Sequence, residues 1–84
     1  MPETETSNWY LFRITNRNEK KVRDILDISG IENFIPFSVT EYNWKGVFRN
    51  VETPLYPGIG FARVDSFDLG MLKMMEEISL FVQT

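Results

Sequence analysis

Strand-like alternation and helix-like spacing succeed one another along the chain. Trp9 to Thr15 is aromatic-rich and bounded by polar residues, which predicts a strand. Successive strand side chains alternate, so Tyr10, Phe12 and Ile14 form one face and Trp9, Leu11 and Arg13 the other. A helix is expected next. Asn16 and Glu19 have capping-box spacing, Val22, Ile25 and Leu26 share a stripe, and Gly30 suits the left-handed residue that ends a helix. Lys20, Lys21 and Arg23 lie off that stripe, as a solvated face requires. Ile31 to Tyr42 reads as extended and is interrupted at Pro36, which cannot donate a ladder hydrogen bond. Asn43-Trp44-Lys45-Gly46 predicts a hairpin turn into a strand from Val47 to Thr53. Pro54 and Pro57-Gly58 mark a corner before a further strand, Ile59 to Val64. Ser66 or Asp68 is placed to cap a short helix over Leu69 to Ile78. Leu69, Leu72 and Met75 form its stripe, and Met71 and Met74 are expected to fill packing gaps. Leu80 to Gln83 predicts a last short strand.

The stretch from Pro54 to Asp65 is the most informative. On one face Gly60, Ala62 and Val64 are small enough for a helix to pack closely. On the other, Ile59, Phe61 and Arg63 have no obvious helix to cover them. An uncovered apolar sheet face predicts a docking surface. The element order implies an α+β fold: an antiparallel sheet of about four strands in a split βαβ arrangement, helices mainly on one face. Residues 1–8 lack apolar periodicity and read as a flexible leader, with one domain over residues 9–84.

Composition narrows the chemistry. The chain has 84 residues, no cysteine and no histidine, so it offers neither a disulfide framework nor the usual zinc ligands. It has no apolar run of membrane-spanning length, and a soluble, cytoplasmic domain is expected. Net charge is −3, which disfavours tight non-specific nucleic-acid binding. The bases concentrate between Arg13 and Arg63, where eight stand against six acids, whereas residues 64–84 carry four acids and Lys73 alone. No paired-carboxylate spacing, nucleophile elbow or phosphate loop is present, so an enzyme is not expected, nor any cofactor or metal.

An ordered set of motifs then carries a resemblance. Trp9-Tyr10, Glu19-Lys20-Lys21-Val22, Gly30-Ile31-Glu32, Phe34-Ile35-Pro36 and Trp44-Lys45-Gly46 come first. Pro54-Leu55-Tyr56-Pro57-Gly58 and Phe61-Ala62-Arg63-Val64-Asp65 complete it. Together they resemble the N-terminal (NGN) domain of the NusG transcription elongation and antitermination factors. The short hairpin is more similar to specialised RfaH-like paralogues than to a housekeeping factor. The family usually continues into a KOW β-barrel, of which the chain shows none.

The resemblance implies transcription regulation by binding RNA polymerase, through the clamp helices of its largest catalytic subunit, to promote processive, pause-resistant elongation. The contact positions it implies are Trp9, Leu11, Arg13, Tyr56, Ile59 and Phe61; at Arg13, RfaH-like proteins carry an aromatic. It also implies nucleic-acid or gate-region contacts. Trp44, Lys45 and Arg49 would approach upstream or non-template DNA, and Gly70, Met71 and Lys73 would form a second site. Glu76-Glu77 argues against DNA at that second site. A split βαβ sheet with exposed aromatics also describes an RRM-like module for single-stranded RNA, but Phe61 lacks the neighbouring aromatic pair of the RNP pattern.

Overall fold

A computed structural model describes residues 6–84. The chain runs β1 (Asn8–Ile14), α1 (Glu19–Ile28), β2 (Asn33–Phe34), β3 (Phe37–Trp44), β4 (Val47–Pro54), β5 (Ile59–Val64), α2 (Ser66–Leu72) and β6 (Ile78–Gln83). Strands β2, β5, β1 and β6 form one sheet in that order, and β3 pairs with β4 in a separate ribbon. All pairings are antiparallel. This is the expected α+β architecture, with one refinement: the hairpin leaves the main sheet instead of extending it. The break falls at Pro36, as its missing N–H requires. The first strand begins at Asn8, paired with Val64, so it takes in the end of the expected leader. Residues 1–5 of that leader lie outside the described residues.

Both helices cover one face of the sheet. Phe12, Ile14, Ala62 and Val64 meet Val22 and Leu26 of α1 and Leu72 of α2 in a core that Ile35 and Ile78 complete. Gly60 lies between them, where a Cβ would come within 2.8 Å of the Phe12 ring. The small-residue face thus turns into the core beneath the helices, with the room at Gly60 taken by Phe12, Ile14 and Ile35.

Three local expectations are corrected. The first helix has no capping box: Asn16 and Arg17 both adopt positive φ, and α1 starts at Glu19 after Asn18. Asn18 does not cap through its side chain, which instead donates to the Thr15 carbonyl oxygen at 2.8 Å. The second helix is capped by Asp65, whose Oδ1 accepts from the Asp68 N–H at 2.8 Å, rather than by Ser66 or Asp68. It ends at Leu72, well short of Ile78. Glu76 and Glu77 would place negative charge at the negative end of a longer helix, which is unfavourable. Lys21 draws Glu77 aside at 2.7 Å, and the Thr15 N–H donates to the Glu77 carbonyl oxygen at 2.9 Å, starting the approach to β6. The Lys21–Glu77 side-chain hydrogen bond and the carboxylate charge behind it hold the Lys21 ammonium above its usual range, and led by the same side-chain bond the Glu77 carboxyl lies below its own.

The released Glu19 side chain takes a different role. It is buried, and its Oε2 accepts from the Gly58 N–H at 2.8 Å. The Gly58 carbonyl oxygen accepts from the Ile14 N–H at 2.8 Å. Tyr56-Pro57-Gly58-Ile59 is a tight turn closed by the Ile59 N–H on the Tyr56 carbonyl oxygen, with Gly58 at φ 79° as a type II turn requires. A carboxylate from α1 thereby fixes the corner that leads into β5. Glu19→Ala is expected to cost about 1.5–3 kcal/mol, the worth of a hydrogen bond to a charged group, read as a lower urea midpoint. An unchanged midpoint would show that the proline and glycine hold the turn unaided.

Candidate docking face

The sheet surface opposite the helices is built by register. Across β1 and β5, Trp9 stands opposite Arg63, Leu11 opposite Phe61 and Arg13 opposite Ile59. On the far side of β5, Phe34 stands opposite Phe61, their ring centroids 6.3 Å apart. Across β1 and β6, Leu11 stands opposite Val82. Directly opposed residues share a face, so one register collects these side chains on the uncovered side.

Two concavities open there. One of ≈ 360 Å³ is lined by Leu11, Phe34, Tyr56, Ile59 and Phe61. Its neighbour of ≈ 500 Å³ is lined by Trp9, Glu32, Asn33, Phe34, Phe61 and Thr84. Phe34 and Phe61 belong to both, so the apolar surface is continuous from Trp9 to Tyr56. Tyr56 projects from the turn at 52% exposure, which removes it from the core. Arg63 closes one end, 3.5 Å from Glu32, and the Thr84 N–H donates to the Trp9 carbonyl oxygen at 2.9 Å. Arg13 is exposed beside Ile59.

A family model described as "Transcription termination factor nusG" matches residues 7–84. The chain belongs to the NusG family. No curated protein matches it. NusG proteins are transcription factors, not enzymes, and membership gives the chain a role in transcription elongation or termination. The matched span includes every residue of both concavities. No helix among the described residues is long and apolar enough to cross a membrane.

In this NusG-family chain, Trp9, Leu11, Arg13, Tyr56, Ile59 and Phe61 share one face. The remaining predicted positions lie elsewhere, in two groups. Trp44, Lys45 and Arg49 are at the end of the β3–β4 ribbon, where every residue from Ser38 to Val51 is exposed. Lys45 and Gly46 form its two-residue turn, both at positive φ, and Lys45 Nζ lies 5.6 Å from the Trp44 ring centroid. Gly70, Met71 and Lys73 belong to α2 and its C-terminal cap, in the helical layer on the reverse of the sheet. Met71 and Met74 do not fill gaps: they are 53% and 79% exposed, and Met75 alone of the three packs against the core. The helix ends at Leu72, and Met74, beyond it, is left exposed.

Phe34, Leu55 and Val82 are absent from the residues expected on sequence grounds. Phe34 carried no period of its own: it points outward because its neighbour Ile35 is buried. Leu55 is half-exposed beside Tyr56 in the proline-rich corner. Val82 likewise carried no local signal, because its orientation depends on a bulge in β6. Leu11 pairs with Val82 and Arg13 with Ser79, which leaves one extra residue in β6. Leu80 takes positive φ there, Phe81 turns inward to within 5.7 Å of Phe12, and Val82 turns outward.

Proposed function

We propose that the Leu11–Phe34–Tyr56–Ile59–Phe61 face docks on the clamp helices of the largest catalytic subunit of RNA polymerase. The carrying observation is the two-sided sheet: one face is closed by both helices, and the other is a continuous apolar surface that no element among the described residues covers. An apolar groove of this kind suits the side chains of a helical partner. Bound there, the domain favours whichever clamp state presents the better surface, shifting populations toward a closed, processive and pause-resistant polymerase without any chemistry. The setting is the cytoplasm, and the activity is antitermination as well as elongation. The two-residue hairpin turn supports a specialised, RfaH-like role.

The ribbon fits an auxiliary contact with upstream or non-template DNA. Tyr42 and Arg49 are directly opposed, as are Trp44 and Val47, so one ribbon face sets aromatic rings beside a cation. An RRM-like role for the main sheet fits less well. The concavity around Phe61 is lined without a cation, and Arg63 is engaged by Glu32.

Titration of the whole chain against an isolated clamp-helix fragment tests the reading. Micromolar binding is expected, with none to a uridine 12-mer. A folded chain that ignores the fragment would overturn it.

A further inference from the structure

The helical layer carries a second uncovered apolar surface, with a charge pattern of its own. A groove of ≈ 310 Å³ runs between α1 and α2, its apolar walls supplied chiefly by Ile25, Ile31, Phe67, Met71 and Met75. Phe67, Met71, Met74 and Ile28 are all more than half exposed. None of these side chains belongs to the docking face proposed above.

The charged residue that lines the groove is an acid, Asp68. Beyond Arg63 the chain carries four acids, Asp68 in the groove and Glu76 after α2 among them, against Lys73 alone, whereas α1 brings Asp24 and Asp27 together with Lys20, Lys21 and Arg23. Asp24 has Arg23 at 3.5 Å, and Asp27 accepts from the Asn33 side chain at 2.7 Å. Lys21, the next cation along α1, is already taken by Glu77. A phosphate-bearing partner would be repelled here, and two copies meeting through this surface would oppose acid to acid. Methionine side chains adapt to varied apolar shapes, which suits a groove that receives another helix.

We propose that the groove between α1 and α2 binds a cationic amphipathic helix of a partner protein. Its apolar side chains, spaced three and four residues apart, enter between Phe67 and Met71, and its lysines or arginines meet Asp68 and Glu76. The proposal stands independently of polymerase docking. It places a second partner on the reverse of the sheet, so that one small domain can hold two proteins at once.

The test uses the whole chain and a labelled 15-residue leucine–lysine amphipathic peptide, read by fluorescence anisotropy. A leucine–glutamate peptide of the same length serves as the opposite charge. Micromolar binding is expected for the cationic peptide and none for the anionic one. Phe67→Glu and Met71→Glu, both at residues that line the groove, should each weaken it about tenfold or more. Both variants add negative charge, so general attraction between charges predicts tighter binding, not weaker. Phe61→Asp should bind the peptide as the parent does, which separates this groove from the sheet face. Circular dichroism confirms that each variant is folded. Three results would overturn the proposal: parent-like affinity in both glutamate variants, capture of the anionic peptide, or a parent dimer that Phe67→Glu dissociates.

Discussion

Phe61→Asp is expected to weaken binding to the clamp-helix fragment at least about a hundredfold while the domain stays folded. Phe61 lies opposite Leu11 on one side and Phe34 on the other, and it lines both concavities. No other side chain except Phe34 does so. A residue at the centre of an apolar contact is where binding energy concentrates. The variant removes the ring and also places a carboxylate where the partner would exclude water, which costs far more than lost contact area. Its folding cost is small by comparison, because Phe61 points away from the core of Phe12, Ala62 and Val64. A titration beside a thermal melt separates the two effects. Affinity within about threefold of the parent would refute the sheet-face assignment. Arg49→Ala, far out on the ribbon, should leave binding to this fragment unchanged.

Gly60→Val, one residue away on the same strand, is expected to do the reverse and break the fold. A Cβ at position 60 would meet Phe12 Cε1 at 2.8 Å and the side chains of Ile14 and Ile35 at 3.1 Å. Phe12 is fully buried and Ile14 and Ile35 nearly so, so none of them can swing into solvent. Overpacking of this kind costs about 1–3 kcal/mol, and a branched side chain belongs at the top of that range. Replacing glycine also restricts the unfolded chain, a gain of about 0.4–1 kcal/mol that does not offset the clash. The net is about 2–2.6 kcal/mol, and with about 4–8 °C per kcal/mol in a domain of this size the melting temperature should fall by about 8–21 °C. Gly60→Ala should fall by less. Gly70→Ala gives the contrast: a Cβ there has nothing within 4 Å, and the helix interior favours alanine by up to about 1 kcal/mol. A melt of Gly60→Val that matched the parent would mean that Phe12, Ile14 and Ile35 do not crowd β5 at Gly60.

Adjacent residues of β5 therefore answer to different demands. Gly60 leaves room for the Phe12, Ile14 and Ile35 side chains, and Phe61 faces out because Gly60 faces in. This division was legible in the alternation of Ile59 to Val64, as was the face of Trp9 and Leu11 on β1. Phe34 was harder to see, since a strand of two residues has no period of its own and is recognised only through its pairing with β5. The capping box at Asn16 failed for a different reason. Its spacing was right, but Glu19 gains more by accepting from Gly58, 39 residues away, than by folding back on its own helix start. No local pattern contains that partner.

The last strand shows the limit most clearly. Plain alternation from Ile78 would send Leu80 inward and Phe81 outward, and a single extra residue at Leu80 reverses both. What the sequence by itself determined is what repeats locally: the strand and helix order, the small and large faces of β5, the breaks at Pro36 and Pro57-Gly58, and the motif set of a NusG N-terminal domain. What only the tertiary structure decided is what depends on a partner distant in the chain. The bulge that aims Val82 outward, the Glu19 anchor on the corner, the shortened α2 that exposes Met74 and the separate β3–β4 ribbon are all of this kind. Periodicity reports which way a side chain points along its own element. Register and long-range hydrogen bonds decide which element it points toward.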